Sequence, residues 1–571
     1  MSRPADYPPR FDPESRVAVP TDPVDERIEV GVLVVGAGPA GLACAIRFGQ
    51  LLDEHPDVAD RLGEVPLAVV EKGAHPGAHL LSGAVLNTRS LRTLLGDDAL
   101  ADMPNYGPVK GESVYVMMRD RSMPIPPPPT MRNHGNVIVS VSQLGRWLAE
   151  KAEDAGAMIL PETAADQLLI DDGAVVGVRT GERGRGRDGA ELGNYEPGND
   201  IVAQVTVLAE GTTGHLSNVA LDHFGLHGEA PQVWELGVKE VWRVARPLDR
   251  IIHTLGWPLR PQAKYHEFGG SFIYPMGDDM VSIGMVVGLD YRDVTLSAHD
   301  LLQELKTHPR IRPILEGGER LEWGAKTIPG GGFHSLPAQF HAPGLLLCGD
   351  GAGMVNIPTL KGVHYAVESG RLAAEAAFAA VRDAAPVSGA GAVAPSVDAL
   401  ASYDDAIRAS FIWSDLHEVR DMRNVFGHGF VLGAAFAGAM TLSKGRIDLG
   451  KMPCEPDAEQ PLLRTDRAER YPKPDGKLTF DKLSSVFAAG NKTRDDQPCH
   501  VQLETRVARD VAELWVNMCP AQVYAIGAVG DDGLVTVELE PSNCVECGAI
   551  TAKGGRLTPP ESPSGPEYTL T

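Results

Sequence analysis

Positive charge is scarce in this chain of 571 residues. The 52 Lys and Arg residues stand against 76 Asp and Glu residues, which gives a formal net charge of −24. Binding to nucleic acid without sequence preference depends on Lys and Arg side chains that neutralise phosphates, so this balance argues against a nucleic-acid partner. It also argues against attachment to anionic membranes by charge alone.

The chain has no run of 18 strongly apolar residues, so a membrane-spanning helix is not expected. The N-terminal stretch, Met1 to Glu26, is rich in Pro and acidic residues, and neither a secretory signal nor a transit peptide is visible in it. The segment Phe426 to Leu442 is the nearest to a membrane helix, but it is rich in Gly and Ala. Two interpretations remain for it: a tightly packed internal helix, or an interfacial segment that lies in one leaflet.

Seven cysteines are too few for a disulfide scaffold in a chain of this length. Their placement is nevertheless uneven, because Cys499, Cys519, Cys544 and Cys547 all fall within the C-terminal part of the chain. In a reducing compartment, cysteines clustered in this way are more readily metal ligands than disulfides.

Apolar runs typical of β-strands alternate with helical stretches, which predicts an α/β fold with a doubly wound core. The runs lie at 32–35, 67–70, 205–208 and 345–348, and the helical stretches include 144–155 and 363–381. Two segments, 182–200 and 383–396, have the composition of surface loops. Residues 234–242 interleave Trp with charged side chains and predict a partly exposed strand.

The strongest local motif begins where the first apolar run ends. Gly36, Gly38 and Gly41 form G-x-G-x-x-G, with Pro39 and Ala40 between the last two, and an Ala-rich helix follows. This is the strand–turn–helix context in which the motif binds a dinucleotide. Gly36 allows the tight turn, Gly38 lets the backbone approach a pyrophosphate, and Gly41 permits close packing of helix on strand. The helix N-terminus then offers unpaired N–H groups to the phosphates.

Two further elements support a dinucleotide site, and the second of them favours FAD over NAD. Glu71 ends the second apolar run, where a carboxylate binds a ribose hydroxyl, and an insertion at 51–64 explains its long separation from Gly41. Gly349 and Asp350 follow the last apolar run, over 300 residues after the first motif. Flavoproteins of the glutathione-reductase type carry such a Gly-Asp element near the ribityl chain of FAD.

Several separated motifs together resemble one family, that of the electron transfer flavoprotein–ubiquinone oxidoreductases. In family order, from about residue 30 to 568, they are Glu71–Gly73, Gly77–Ala84, Asn133–Asn136, Gly269–Phe272, Asn356–Pro358, Lys361–Gly362, Tyr471–Gly476, Asp496–Pro498, Cys519–Ala521 and Asn543–Cys547. The resemblance implies an electron-transferring-flavoprotein dehydrogenase with one FAD and one four-iron, four-sulfur cluster. Its partners would be electron transfer flavoprotein and a membrane quinone, ubiquinone or menaquinone.

The resemblance also implies the domain organisation, which is α+β overall. We expect a glutathione-reductase-like FAD-binding Rossmann domain, an inserted β-rich quinone-binding domain and a small ferredoxin-like iron–sulfur domain. The expected ranges are 1–27 for an N-terminal tail, 28–230 and 336–465 for the two parts of the FAD-binding domain, 231–335 for the quinone domain and 466–571 for the iron–sulfur domain. The protein would be monotopic, on the cytoplasmic face of a bacterial-type inner membrane.

Residue roles follow from the same resemblance. Beside the glycine motif and Glu71, the residues expected to contact FAD are Lys72, His79, Ser82, Gly83, Gly349, Asp350 and Asn356. Asn356 is expected to act catalytically, because an amide near the flavin ring tunes its electronics by hydrogen bonding. Gly269 and Gly270 match the quinone pocket, where a pair without Cβ atoms lets a flat ring approach the backbone. Without the resemblance, Gly269 and Gly270 would be a turn or bulge, and Asn356 a turn residue.

The cysteine pattern departs from its family at one position. Cys519, Cys544 and Cys547 match cluster ligands, but Ile550 stands where the family has the fourth cysteine, and an Ile side chain cannot bind iron. We expect Cys499 to supply the fourth thiolate. The alternatives are a three-cysteine cluster, His500 as a nitrogen ligand, no cluster at all, or a structural zinc on the four cysteines.

Two other functions remain open at this stage. One is a FAD-dependent reductase of isoprenoid lipids of the geranylgeranyl type, a relative that shares the flavin fold but does not require a C-terminal cysteine domain. The other is a non-catalytic flavin-binding component of a membrane assembly.

Overall fold

The structure is a computed structural model that describes residues 2–21, 27–383, 397–447, 450 and 452–571. The part of the expected loop at 384–396 therefore lies outside the described residues. The helices of the described ranges are α1 Pro39–Glu54, α2 Pro56–Arg61, α3 Arg89–Ala99, α4 Val141–Asp154, α5 His215–His223, α6 Ala298–Lys306, α7 Arg312–Leu315, α8 Val363–Asp383, α9 Val397–Leu400, α10 Ser402–Ala409, α11 Phe411–Glu418, α12 Phe430–Ser443, α13 Lys482–Ala488, α14 Arg509–Met518 and α15 Ala549–Ala552.

Within the described residues, the strands form six sheets. In chain order they are β1 Val17–Ala18, β2 Ile28–Val35, β3 Leu67–Val70, β4 Val85–Leu86, β5 Glu112–Met118, β6 Arg121–Ile125, β7 Val137–Ile138, β8 Met158–Leu160, β9 Ala165–Asp171, β10 Ala174–Thr180, β11 Arg183–Arg185, β12 Glu191–Glu196, β13 Asp200–Leu208, β14 Trp234–Arg243, β15 Ile251–Gly256, β16 Gly269–Met276, β17 Met280–Gly288, β18 Glu319–Pro329, β19 His341–Ala342, β20 Leu345–Leu347, β21 Val501–Gln502, β22 Arg506–Val507, β23 Tyr524–Val529, β24 Val535–Leu539 and β25 Arg556–Leu557.

The first large sheet has nine strands, in the order β1-β9-β10-β13-β2-β3-β8, with β20 paired to β13 and β19 to β20. β2, β3, β13 and β20 are parallel and almost wholly buried, which is why they read as continuous apolar runs in the sequence. Helices α1 and α8 pack against each other in the same hydrophobic core. The parallel strands point their carboxyl ends to one edge, where an α/β sheet binds its ligand.

The second large sheet has seven strands, in the order β18-β14-β17-β16-β15-β5-β6. Two of them, β5 and β6, come from the range expected for the FAD-binding domain, so the second sheet is assembled from two separate parts of the chain. β14 covers the segment expected to be a partly exposed strand, and that expectation is wrong. β14 is hydrogen-bonded on both sides and nearly all of its residues are buried.

The C-terminal region shares a hydrophobic core with the second sheet. Its helix α14, the small sheet β22-β24-β23 and its cysteines share one hydrophobic cluster with the apolar side chains of β14 and β17.

The segment 182–200, which the sequence predicts as a surface loop, contains a short hairpin of β11 and β12. Among the described residues, no helix combines the length and the apolar character that crossing a membrane would require.

Candidate functional site

One large cavity, of about 870 Å³, lies between the carboxyl edge of the first sheet and one face of the second. Its walls include the residues that follow β2, β3, β13 and β20, and the second sheet contributes side chains from β14 to β18. A cavity of this size falls in the range of protein ligand sites.

The glycine motif forms one end of this cavity. Gly36, at φ +104°, needs a backbone conformation that favours glycine, and a Cβ there would lie 2.6 Å from the carbonyl oxygen of Ala209. Gly38, Pro39 and Ala40 line the cavity. Gly41 does not, because it packs against the strand, where a Cβ would lie 2.0 Å from the oxygen of Gly36. This is the division of roles that a dinucleotide requires: open backbone beside the phosphates and close packing behind it.

Glu71 holds the glycine turn in place. Its carboxylate accepts hydrogen bonds from the backbone N–H groups of Ala37 at 3.0 Å and Gly73 at 2.7 Å, and the residue also lines the cavity. Carboxylate oxygens retain further acceptor capacity after two bonds. The arrangement therefore fits a ribose hydroxyl donor at this point.

Gly349 and Asp350 begin a short 3₁₀ helix at the carboxyl end of β20, and both line the cavity. The N–H of Gly349 donates to the hydroxyl of Ser369 at 2.9 Å, which ties this turn to α8. Burial raises the pKa of Asp350 to about 6, as expected for a carboxyl in a closed site without a cationic partner. A ligand hydroxyl would satisfy it.

Lys72, His79, Ser82 and Gly83, which the resemblance leads us to expect as FAD contacts, also line the cavity. The carbonyl of Ser82 accepts a hydrogen bond of 2.8 Å from the ammonium of Lys239, on β14 of the second sheet. Burial lowers the pKa of His79 to about 4, so its ring is neutral at physiological pH. Its Nδ1 is buried without a hydrogen-bond partner, so this imidazole still has a polar atom to offer a ligand.

Asn356 lies in the wall and not at the cavity. Its side chain accepts from the N–H of Thr359 at 3.1 Å and donates to Tyr365 and to the carbonyl of Asp415, each at 3.4 Å. The residues around it, including Val355 and Ile357, line the cavity while Asn356 does not. These hydrogen bonds show that Asn356 holds the loop that lines the cavity, and its expected catalytic role near the flavin stays a prediction.

Gly269 and Gly270 form part of the opposite face, on β16. A Cβ on Gly269 would lie 2.0 Å from the carbonyl oxygen of Val286, and one on Gly270 would lie 2.6 Å from that of Thr254. No larger residue fits at either position without a shift of the backbone. Apolar residues of α12 and of the segment before it line the cavity next to this floor: Met422, Phe426, Phe430, Ala434, Ala437 and Leu442.

The sequence analysis missed two polar residues of this face, Glu235 and Arg423. Both line the cavity, and the Nε of Arg423 donates to Oε1 of Glu235 at 3.2 Å. The charged residues interleaved in the segment 234–242 are the sequence signal that could indicate Glu235. The interpretation of this segment as a partly exposed strand does not predict a buried carboxylate there.

Three cysteines surround a second, much smaller cavity of about 20 Å³ in the C-terminal region. Cys519, Cys544 and Cys547 line it, and Ile550 closes it, with only 3% of its surface exposed. Backbone N–H groups point at the sulfurs: that of Val523 lies 3.4 Å from the Sγ of Cys519, and that of Glu546 lies 3.4 Å from the Sγ of Cys544. Such donors favour thiolates, the form that binds iron.

Cys499 is not brought to this cavity. Its Sγ bonds to the carbonyl oxygen of Val501 on its own loop at 3.4 Å, and neither Cys499 nor His500 is among the lining residues. Within the described ranges, no three His, Cys, Asp or Glu side chains form a group ready to hold a metal ion. In a four-iron cluster each cysteine binds a different iron. Cys519, Cys544 and Cys547 share one cavity and so offer three of the four thiolates that such a cluster uses.

Comparisons with known proteins agree with both sites. Residues 234–328 match the family description "ETF-QO, ubiquinone-binding", and residues 476–569 match "Electron transfer flavoprotein-ubiquinone oxidoreductase, 4Fe-4S". The first match spans the second sheet from β14 to β18, and the second spans all four clustered cysteines.

Relatives cover nearly the whole chain. An electron transfer flavoprotein-ubiquinone oxidoreductase of Pseudomonas aeruginosa is 37% identical, over 95% of this chain and 99% of its own. The mitochondrial enzyme of Arabidopsis thaliana is 36% identical over 97% of this chain and 86% of its own, and the human one is 34% identical over 95% and 89%.

A solved structure supports the fold alone. A geranylgeranyl bacteriochlorophyll reductase-like protein from Thermoplasma acidophilum superposes with a TM-score of 0.53 at 18% identity, over 74% of this chain and 97% of its own.

Proposed function

The chain belongs to the electron transfer flavoprotein–ubiquinone oxidoreductase family, and from this premise we propose that it passes electrons from reduced electron transfer flavoprotein to a membrane quinone, ubiquinone or menaquinone. It is an oxidoreductase whose cofactors are FAD and an iron–sulfur cluster. One observation carries the proposal: a single cavity is lined both by the dinucleotide loop at Gly38 and by the glycine floor at Gly269 and Gly270. A flavin and a quinone therefore share one space.

The residues that hold FAD in this proposal are Gly36, Gly38, Pro39, Ala40, Gly41, Glu71, Lys72, His79, Ser82, Gly83, Gly349 and Asp350. When bound, FAD supplies the conversion between single electrons and the electron pair that a quinone takes up. The chain itself binds and orients. Glu71 fixes the glycine turn. Asn356 positions the loop whose neighbouring residues line the cavity.

Three thiolates, those of Cys519, Cys544 and Cys547, hold the iron–sulfur cluster in this proposal. The geometry that supports it is their shared cavity and the N–H groups directed at two of the sulfurs. Such hydrogen bonds also tune the reduction potential of a cluster.

The quinone enters along α12. One side of this helix lines the large cavity, whereas Leu432 and Phe436 do not line it and are exposed, at 57% and 42% of their surface. An apolar helix with one side on the cavity and other residues exposed suits monotopic attachment to one leaflet. The apolar quinone would then pass from the membrane to the glycine floor without crossing water. We place this attachment on the cytoplasmic face of a bacterial-type membrane.

The test is a two-substrate assay with the purified, cofactor-loaded protein in detergent. Reduced electron transfer flavoprotein serves as the donor and decylubiquinone as the acceptor, and a menaquinone analogue is compared with it. We expect quinol formation that depends on both substrates. A protein that reduces an isoprenoid double bond but not the quinone would instead match the reductase alternative, and one without turnover would match an assembly component.

A further inference from the structure

Glu235 is a buried acid that the electron transfer described above does not use. The residue is 0% exposed, yet it lines the large cavity. Its Oε1 accepts a hydrogen bond of 3.2 Å from Nε of Arg423, while its Oε2 is buried without a hydrogen-bond partner. An unpaired buried oxygen costs free energy, so its persistence on a ligand cavity calls for a functional reason.

The register of the second sheet places Glu235 beside the quinone floor. Gly237 on β14 pairs with Val286 on β17, which pairs in turn with Gly270 on β16. Side chains two residues apart on a strand share a face, so Glu235 faces the same side as Gly237, about 7 Å further along the strand. Two strand spacings, about 10 Å, separate β14 from β16. The side chain of Glu235 and a quinone ring on the glycine floor would together have to bridge this separation.

The groups around Glu235 bring the pKa of its carboxyl close to neutral pH. Burial raises the pKa of Glu235 to about 7, Arg423 opposes that rise, and Asp290 adds to it. The guanidinium of Arg423 is already paired with Asp290 through two bonds, at 2.8 and 2.9 Å, so its charge is largely matched before Glu235 ionises.

Other titratable groups approach the same carboxyl from neighbouring elements. Asp457, whose side chain accepts from the N–H of Trp234 at 2.8 Å, lies behind β14 and is held near Lys553. His266 lies 3.9 Å from Asp290 with 22% of its side chain exposed. The buried group of acids therefore has one partly exposed, titratable neighbour.

We propose that Glu235 is the acid that delivers one of the two protons taken up when the quinone becomes a quinol. The inference rests on the proposed function, which supplies the two electrons. The quinone gains two electrons, one proton from the Oε2–H of Glu235 at the nearer carbonyl oxygen, and a second proton from solvent at the other. Glu235 is left as a carboxylate beside Arg423 and regains its proton from solvent before the next turnover.

The test compares wild-type protein with Glu235→Gln, which keeps the acceptor for Arg423 but has no acid proton. We expect quinol formation to fall about 100-fold, the lower range for loss of a general acid. Reduction of the bound FAD by reduced electron transfer flavoprotein, measured without quinone, stays at the wild-type rate. Wild-type quinone reduction falls as pH rises through about 7, because the acid form is the donor, and Glu235→Gln loses this limb.

Infrared difference spectra give a readout that does not depend on turnover. A pH titration of the wild type between 5 and 9 should show the loss of carboxylic acid C=O bands from Asp350, near pH 6, and from Glu235, near pH 7, and Glu235→Gln should lack only the band lost near pH 7. Glu319→Gln, which changes an exposed carboxylate at the edge of the same sheet, is the matched control and should leave both measurements unchanged.

The outcomes separate two failures. If wild-type protein reduces no quinone, the proposed function is wrong, and the infrared band alone then reports only the ionisation of Glu235. If wild-type protein is active but Glu235→Gln has the same rate and the same pH profile, Glu235 only anchors Arg423 and the inference is overturned.

Discussion

The ammonium of Lys72, one residue after Glu71, is paired with the carboxylate of Glu546, which lies between Cys544 and Cys547. The backbone of Glu546 is held as well, since its carbonyl oxygen accepts from the ammonium of Lys326 at 3.1 Å. Both members of the pair line the large cavity. One ion pair thus joins the loop that follows Glu71 to the loop that carries Cys544 and Cys547.

Removing this pair should loosen the cysteine loop. Lys72→Met leaves the carboxylate of Glu546, whose side chain is 5% exposed, without its cation, which costs about 2 kcal/mol. Hydrogen–deuterium exchange of the amides at 541–550 should therefore become about 30-fold faster. Lys492→Met is the control, because its pair with Glu567 is largely exposed and such pairs contribute little. Exchange at the wild-type rate in Lys72→Met would show that the pair does not hold the loop.

Two glycines of the dinucleotide motif should fail in different ways. At Gly38 a Cβ would meet only Leu80, at 3.8 Å, so Gly38→Val should fold but intrude on the pyrophosphate and yield protein without bound FAD. At Gly41 a Cβ would lie 2.0 Å from a carbonyl oxygen, so Gly41→Val should lower the thermal unfolding temperature even without cofactor. FAD content by absorbance and unfolding by circular dichroism distinguish the two. A folded Gly38→Val protein with one FAD per chain would contradict the proposed site.

The exposed side of α12 should govern membrane attachment. Leu432→Ser combined with Phe436→Ser removes apolar surface that is worth about 25 cal/mol per Å² when buried, so binding to neutral phosphatidylcholine vesicles should weaken at least tenfold. Because the net charge is −24, binding should resist high salt. Phe487→Ser, at an exposed Phe of α13, is the control and should bind as wild type does. Wild-type protein released by salt alone would contradict an apolar attachment.

The sequence predicts four strands of the first sheet, β2, β3, β13 and β20, because each of them is a continuous apolar run. It also predicts the glycine motif at the ligand edge, because that motif is contiguous in the chain. The strand, the glycines and the helix are contiguous from Val32 to Ala43, and parallel buried strands read as apolar runs. Glu235 could not be found in this way. Its burial depends on β17 and β18, which lie about 45 and 85 residues further along the chain, and its partner Arg423 lies further still. A strand in which charged and apolar residues alternate has the same sequence pattern whether it lies in the centre of a sheet or at its edge, so the pattern does not predict burial.

The cysteines show the same limit. The spacing of Cys519, Cys544 and Cys547 predicts them as cluster ligands. Cys499 is predicted as the fourth ligand only because it is the remaining thiol in that region of the sequence. The structure turns the sulfur of Cys499 toward Val501 and gives the fourth side of the cavity to Ile550. Sequence proximity does not report which side of a loop a sulfur faces.

The cluster should therefore have a corner without a protein thiolate. We expect wild-type protein to lose one iron on mild oxidation with ferricyanide and to show the EPR signal of a three-iron cluster. Cys499→Ala should behave as wild type does, because its sulfur does not reach the cavity. Ile550→Cys places a fourth thiolate at the remaining side, so it should keep four irons under the same oxidation, with FAD content unchanged as the check on folding. Loss of the cluster in Cys499→Ala would instead establish Cys499 as a ligand and require its loop to move on assembly.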